Sequence, residues 1–295
     1  TITYRGVDYD LALSANVLTS NSPLAVTLNT PEDNATGLPP MGVLLSWTPA
    51  ASGGTPSSYT IYLARSEANI YTEIIFEDIT TTSFNPSSYG HTFQYLDRWY
   101  WTVEAHNEYG SAVVETPFSF QIEAPPPIVV DSENPYREFF DSTPEGSMPS
   151  IWTVIDSHTG DDARGWRTSS GLASSLPNAA VVFYHSIFGK DEWMITPALT
   201  LEGGQLYFLS FGLMAPGWEG SPEALEVHWG TEATISGMTS SPPLWNDNSI
   251  MLDDYTNILV PFTPTTTGIY YFGWHTYSAP NLDYIAVDDV SLYIP

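Results

Sequence analysis

The sequence predicts an all-β protein built from two sandwich domains. Along the whole chain, short runs of β-branched and aromatic residues alternate with clusters of Gly, Pro, Ser, Thr and Asn, the pattern of strands joined by turns. Residues 43–47, 206–209 and 269–272 are examples, and we find no convincing amphipathic helix. The polyproline segment 124–127 can neither extend a β-ladder nor enter a helix, so it predicts a short stiff linker between two domains.

The predicted organisation has four parts. Residues 1–22 form an N-terminal extra strand or linker, residues 23–124 a first sandwich, residues 125–130 the Pro-rich linker, and residues 131–295 a second, larger sandwich. A chain of 295 residues is long enough for two cores of this size. Its hydrophobic content of 42% indicates folded cores and not disorder.

Charge and cysteine content exclude several function classes. The chain carries 34 acidic residues against 7 basic ones, a formal net charge of −27. Without a basic stripe, binding to nucleic acid or to anionic lipid is not expected. The absence of cysteine removes disulfides, thiolate zinc sites and cysteine nucleophiles. No apolar run approaches 18 residues, so no membrane insertion is expected. The absence of cysteine favours a secreted bacterial protein that is held together by large cores and metal instead of disulfides.

The first predicted domain resembles a bacterial fibronectin type III domain, an Ig-like sandwich. Trp47 closes an inward alternation, and Trp99, Trp101, Val103 and Ala105 share one face of a later strand. Asn107 and Gly110 follow at the spacing of that family. The resemblance implies a spacer domain whose tryptophans pack in the core.

An additional strand is predicted before this domain. Within residues 10–18, one face of the pattern is apolar and consists of Leu11, Leu13, Ala15 and Val17. The strand is the last one of a preceding domain, adds to the edge of its own domain, or is donated to an identical neighbouring subunit, whose sheet it would complete. Donation would make the chain a structural subunit of an extracellular filament or surface layer.

The second predicted domain resembles the cleaved adhesin and choice-of-anchor J family, relatives of the MAM-type jelly rolls. The motif W-M-I-T-P at residues 193–197 and the motif A-V-D-D-V-S-L at residues 286–292 are the specific parts. The resemblance implies a jelly-roll β-sandwich of secreted bacterial proteins. It is found in surface adhesins and as an accessory module of exported enzymes, commonly with bound calcium.

Paired carboxylates in this domain predict a structural calcium site. Adjacent carboxylates repel one another unless solvated or bridged by a cation, and hard oxygen ligands suit Ca²⁺. Asp288 and Asp289 are adjacent in the last predicted strand, and one of them must face inward because side chains alternate between the two faces of a strand. The resemblance implies one further ligand oxygen from the first strand of this domain, supplied by Asp141 or Glu138. Alternatively, these groups are solvated acids or acceptors of N–H bonds. The predicted ligand set is Asp141, Asp156, Asp161, Asp162, Asp288 and Asp289.

No catalytic motif is found, and we expect no enzyme activity. The six histidines show no metal-ligand spacing, and neither a nucleophile elbow nor a P-loop occurs. Two Gly- or Pro-bounded loops, around Trp218 and Trp245, could instead display an aromatic ring to a glycan or protein partner. The predicted function is therefore a non-catalytic adhesin or surface-binding module. Its alternatives are the filament subunit and an accessory, carbohydrate- or protein-binding region of a larger secreted enzyme.

Overall fold

The computed structural model describes residues 2–4, 7–9, 21–158 and 165–295. The chain divides into two compact units, Thr1–Ala124 and Pro125–Pro295. Both are built from strands, so the predicted all-β class, an Ig-like sandwich and a larger jelly-roll sandwich, is confirmed. No helix in these ranges has the length and apolar content needed to cross a membrane.

The first unit contains a small N-terminal hairpin and two facing sheets. One sheet has the order β4-β11-β9-β6-β7, with β10 beside β9, and the other has the order β3-β5-β8. The strands are β1 (Ile2–Tyr4), β2 (Val7–Tyr9), β3 (Thr27–Thr30), β4 (Ala35–Leu38), β5 (Leu45–Thr48), β6 (Ser58–Ala64), β7 (Ile74–Ile79), β8 (Ser83–Phe84), β9 (Arg98–Asn107), β10 (Gly110–Val113) and β11 (Phe118–Ile122).

The core of the first unit lies between these two sheets, as the alternation predicts. Trp47 and Trp101, from opposite sheets, are 2% and 0% exposed. The ring of Trp47 meets that of Tyr59 edge to face at 5.2 Å. Trp99, Val103 and the other inward residues of β9 are buried with them. The predicted strand over residues 10–18, with Leu11, Leu13, Ala15 and Val17, lies outside the described residues.

The second unit is also a two-sheet sandwich. One sheet joins β14, β17, β23, β20 and β21, with β18 on β23 and β12 on β18; the other has the order β15-β16-β24-β19-β22, with β13 on β24. The elements are β12 (Ile128–Val129), β13 (Tyr136–Glu138), β14 (Thr153–Asp156), β15 (Arg167–Ser169), β16 (Ala179–Phe183), β17 (Glu192–Ile195), β18 (Leu199–Leu201), β19 (Tyr207–Ala215), β20 (Glu223–Gly230), α1 (Ile235–Met238), β21 (Trp245–Ile250), β22 (Leu252–Phe262), β23 (Gly268–Thr276) and β24 (Tyr284–Tyr293).

From β16 onward the chain passes repeatedly between the two sheets of the second unit, as in a jelly roll: β16, β19, β22 and β24 lie in one sheet, and β17, β18, β20, β21 and β23 lie in the other. The core between them includes Met194 and Trp274 from one sheet and Phe211 and Val287 from the other, each fully buried. The opposite face of the first sheet carries Trp193 and Ile195, which pack separately on Met238 of α1. These two faces follow from the two-residue period of a strand.

The predicted linker over residues 125–130 needs correction at its end. Ile128 and Val129 pair in parallel with Leu199 and Thr200. Val130 is 3% exposed and its N–H donates to the carbonyl of Thr200 at 3.1 Å. Because three consecutive β-branched residues favour an extended, buried strand, residues 128–130 belong to the second sandwich.

Candidate functional site

The loop predicted to display Trp218 does so. The chain has ten tryptophans; seven are buried, Trp229 and Trp245 are half-buried, and Trp218 is 51% exposed. Between β19 and β20, the N–H of Trp218 donates to the carbonyl of Ser221 at 3.0 Å, and the N–H of Ser221 donates back at 2.8 Å. Gly217 and Gly220 hold the tight turn with positive φ. These backbone hydrogen bonds therefore close a tight turn that presents the indole at the surface.

Trp218 borders a surface cavity of about 240 Å³ whose other lining residues are Tyr184, Asn281, Leu282 and Asp283. Tyr184 is 49% exposed, so two aromatic rings are available to one cavity. Sites for drug-sized ligands have volumes of about 300–1,000 Å³, so this cavity is smaller than such a site. The cavity is therefore suited to a small group, such as one unit of a polymeric ligand.

Strand pairing explains why these residues meet. Tyr184 directly follows β16 and Asp283 directly precedes β24, and these strands pair with Phe183 opposite Tyr284. On the other side of β24, Met214 near the end of β19 lies opposite Ala286, so the Trp218 loop leaves from the same end of the sheet. The N–H of Asn281 donates to the carbonyl of His185 at 2.9 Å. Sequence reasoning missed Tyr184, because a lone aromatic residue after a strand carries no local signal.

The other predicted display loop is wrong. Trp245 begins β21 and is half-buried, and its ring meets the core residue Phe211 edge to face at 6.0 Å. The pattern was ambiguous because an aromatic residue next to Pro and Asn is found both in loops and at strand starts. Trp245 is therefore a packing residue of the sandwich.

Three of the predicted calcium ligands, Asp141, Asp156 and Asp288, accept hydrogen bonds from backbone N–H groups. The Asp288 carboxylate is fully buried and accepts the N–H groups of Ser174 at 2.8 Å, Ser175 at 3.0 Å and Asp289 at 2.8 Å. Burial raises the pKa of Asp288 to about 6, although the N–H donors oppose the shift. An oxygen of Asp141 accepts from the Asn178 N–H at 3.4 Å.

The oxygens of this set do not assemble into one calcium shell in the described parts of the chain. Asp156 ends β14 in one sheet, whereas Asp288 and Asp289 lie in β24 of the other. Asp141, Asp288 and Asp289 belong to no group of three metal-ligating side chains among residues 21–158 and 165–295. Asp161 and Asp162 lie outside the described residues. Calcium therefore stays a prediction.

A different group does assemble: Asp156, His158 and Glu192 have one ligand atom each within 4.8 Å of the others. Asp156 and Glu192 lie opposite each other in the β14–β17 register. The Nδ1 atom of His158 is 3.4 Å from Oε1 of Glu192 and 3.7 Å from Oδ1 of Asp156. Sequence reasoning included Asp156 but missed the other two, since their meeting depends on cross-strand register. The spacing Asp-x-His was the one local signal.

A second cluster, of histidines and carboxylates, lies on the face of the first sheet that is opposite the core. Oε1 of Glu226 is 2.8 Å from Nδ1 of His275 and 2.9 Å from Nε2 of His228, and Nε2 of His275 is 2.8 Å from Asp191. Trp193 stacks on His275 at 4.3 Å. Burial pushes the pKa of Glu226 upward, but its interactions with the two imidazoles outweigh that effect and lower the pKa. These groups hold one another and fix the sheet surface.

No known family model and no curated protein matches this sequence. Solved structures with a similar fold include the K1 and K3 cleaved adhesin domains of Lys-gingipain from Porphyromonas gingivalis W83. The K1 domain is 19% identical, with 55% of this chain and 99% of that chain covered and a TM-score of 0.45. The K3 domain is 17% identical, with 54% and 98% covered and a TM-score of 0.42.

A carbohydrate-binding module is also among the similar structures. The C-terminal family 22 carbohydrate-binding module of Clostridium thermocellum Xyn10B is 11% identical, with 54% of this chain and 92% of that chain covered and a TM-score of 0.37. At these identities and TM-scores, the likenesses do not decide function.

Proposed function

We propose that this protein is a non-catalytic, extracellular binding module that holds a neutral glycan in the cavity between Tyr184 and Trp218. The observation that carries the proposal is the exposure of the Trp218 indole beside a second exposed ring. An exposed tryptophan leaves a large apolar surface in contact with water, which is unfavourable. Exposed apolar surface of this kind is typical of recognition sites. The other tryptophans of the chain lie in or against the cores.

The chemistry of the cavity matches a sugar ring. The apolar C–H face of a pyranose stacks on an aromatic plane, and its hydroxyls require donors and acceptors at the edge of the ring. Asn281 supplies both, and the Asp283 carboxylate supplies acceptors. Two exposed rings at one cavity provide stacking surface of the kind that a protein uses to hold one unit of a polysaccharide.

Charge selects among glycans. Residues 125–295 carry 21 acidic and 4 basic side chains, a net charge of −17. A polysaccharide with carboxylates or sulfates would be repelled at low ionic strength, and Asp283 in the cavity adds to that repulsion. The proposal therefore names an uncharged polysaccharide.

The test is affinity electrophoresis of the full chain against a panel of soluble neutral polysaccharides, followed by calorimetry with each that retards it. Trp218→Ala is expected to weaken binding by about 30-fold, the effect of losing an interface contact of about 2 kcal/mol. Tyr184→Ala is expected to weaken it by a smaller factor. The control is Phe139→Ala, which removes a 42% exposed ring that does not line the cavity. Retardation that is unchanged in Trp218→Ala would contradict the proposal.

Structural calcium is part of the proposed function and has its own test. Because Asp156 and the Asp288–Asp289 pair lie in different sheets, the proposal is a Ca²⁺ ion held by some of the predicted carboxylates, Asp141, Asp156, Asp161, Asp162, Asp288 and Asp289, and not by the whole set. Adding Ca²⁺ to chelator-treated protein is expected to raise the melting temperature of the second unit. A melting temperature that does not respond to Ca²⁺ would remove calcium from the account without affecting the glycan site.

A further inference from the structure

The group formed by Asp156, His158 and Glu192 has the composition and spacing of a metal site. Each carboxylate is already oriented through hydrogen bonds. Glu192 Oε2 accepts the Asp191 N–H at 2.8 Å and the Thr276 hydroxyl at 3.1 Å, which leaves Oε1 toward His158. Asp156 Oδ2 accepts the Gly165 N–H at 2.6 Å. Outer partners of this kind orient ligands in metal sites.

Electrostatics favour a cation at this position. The Glu192 side chain is 1% exposed, and burial raises its pKa, with the nearby Asp156 carboxylate acting in the same direction. A divalent cation between the two carboxylates would reduce their mutual repulsion, and the imidazole of His158 would coordinate it.

The separations distinguish between classes of ion. Bonds of about 2.0–2.1 Å to N and O ligands in a tetrahedral site place neighbouring ligand atoms about 3.3–3.4 Å apart. The observed separations of Nδ1, 3.4 Å from Glu192 and 3.7 Å from Asp156, are close to this spacing, and all three ligand atoms lie within 4.8 Å of one another. Imidazole nitrogen is a ligand for zinc and similar transition metals, whereas calcium takes oxygen ligands.

We propose that His158 Nδ1, Glu192 Oε1 and Asp156 Oδ1 bind one divalent transition metal of the zinc class. The site is distinct from the calcium set that the sequence predicts, since two of its three ligands are outside that set and one is a nitrogen. It joins the end of β14 to the start of β17. The ring of His158 also packs on Phe188 at 5.1 Å, and Phe188 stacks on His185 at 4.9 Å, so the metal would also stabilise the segment after β16.

The test is calorimetry of Zn²⁺ alone into the chelator-treated, desalted full chain, with Co²⁺ as a spectroscopic probe. One Zn²⁺ per chain is expected, with the visible absorption of tetrahedral Co²⁺. His158→Gln and Glu192→Gln are each expected to weaken Zn²⁺ binding by more than about 100-fold, because even outer-shell changes cost 10–100-fold. His106→Gln, in the first unit, is the matched control and keeps the wild-type affinity.

Two results would overturn the proposal. One is a Zn²⁺ affinity that is unchanged in His158→Gln, which would place the ion elsewhere. The other is displacement of Zn²⁺ by an equal concentration of Ca²⁺, which would assign the site to an oxygen-preferring ion. Near-ultraviolet circular dichroism of each variant checks that it is folded. His158→Asn, which is shorter than Gln, serves as a second variant if His158→Gln does not fold. The glycan assays are independent of this outcome.

Discussion

Disrupting the buried ion pair of Lys190 and Glu223 is expected to destabilise the second unit strongly. The Lys190 Nζ atom lies 2.9 Å and 3.0 Å from the two oxygens of Glu223, and the side chains are 2% and 0% exposed. Burial lowers the pKa of Lys190 even though Glu223 opposes the shift. The backbone N–H of Lys190 donates to the carbonyl of Ser278 at 2.9 Å, which joins the segment after Tyr184 to the segment before Asn281.

The magnitude follows from the charge that each single substitution leaves behind. Removing one partner of a buried pair costs about 3–5 kcal/mol, because the other charge stays buried without compensation. Total domain stability is about 5–15 kcal/mol, so Lys190→Met alone removes a large part of it. Replacing both partners with apolar residues, as in Lys190→Met with Glu223→Leu, is expected to recover more than half of that loss.

The assay is urea denaturation followed by tryptophan fluorescence, with the transition of the second unit analysed separately. The control is Arg65→Met in the first unit. Arg65 is 56% exposed and its pair with Asp97, at 3.0 Å, is expected to contribute less than about 1 kcal/mol. The reasoning would be refuted if Lys190→Met cost no more than Arg65→Met, or if the losses of the two single variants simply added in the double variant.

Three further predictions follow from burial. Because the pKa of Asp288 is raised to about 6 from 3.8, its contribution to stability is present below about pH 4 and is lost as pH rises through 6, by on the order of 3 kcal/mol. Unfolding in chelator across pH 4–7 measures this, and Asp288→Asn should flatten the profile; an unchanged profile contradicts it. Lys190 is the only lysine and is 2% exposed, so an amine-reactive ester should modify it only after denaturation, as mass spectrometry of the peptides will show; labelling in the native state contradicts it. Acrylamide should quench mainly Trp218, and Trp218→Phe should remove that fraction of the fluorescence; a fraction that persists contradicts it.

The fold was predictable because strand alternation is a local signal. Trp47 in the first unit and the W-M-I-T-P motif in the second both lie in buried strands of the expected sandwiches. The predicted linker was too long because a run of prolines does not indicate where the following strand begins. Ile128 and Val129, which follow the prolines, pair with β18 instead.

The sites were less predictable because they depend on contacts between distant segments. Asp288 is satisfied by N–H groups more than 110 positions away, so a buried carboxylate pair in the sequence did not require a metal there. His158 and Glu192 meet through the β14–β17 register, and Tyr184 reaches the Trp218 cavity through the pairing of β16 with β24. An isolated segment contains no information on such pairings.

Calorimetric binding of a neutral polysaccharide to wild type, Trp218→Ala, Tyr184→Ala and Phe139→Ala tests the glycan site directly. Wild type and Phe139→Ala are expected to bind alike, Trp218→Ala is expected to bind about 30-fold more weakly, and Tyr184→Ala is expected to lie between them. Equal affinity of all four proteins, or loss of binding only in Phe139→Ala, would contradict a glycan site at the Tyr184–Trp218 cavity.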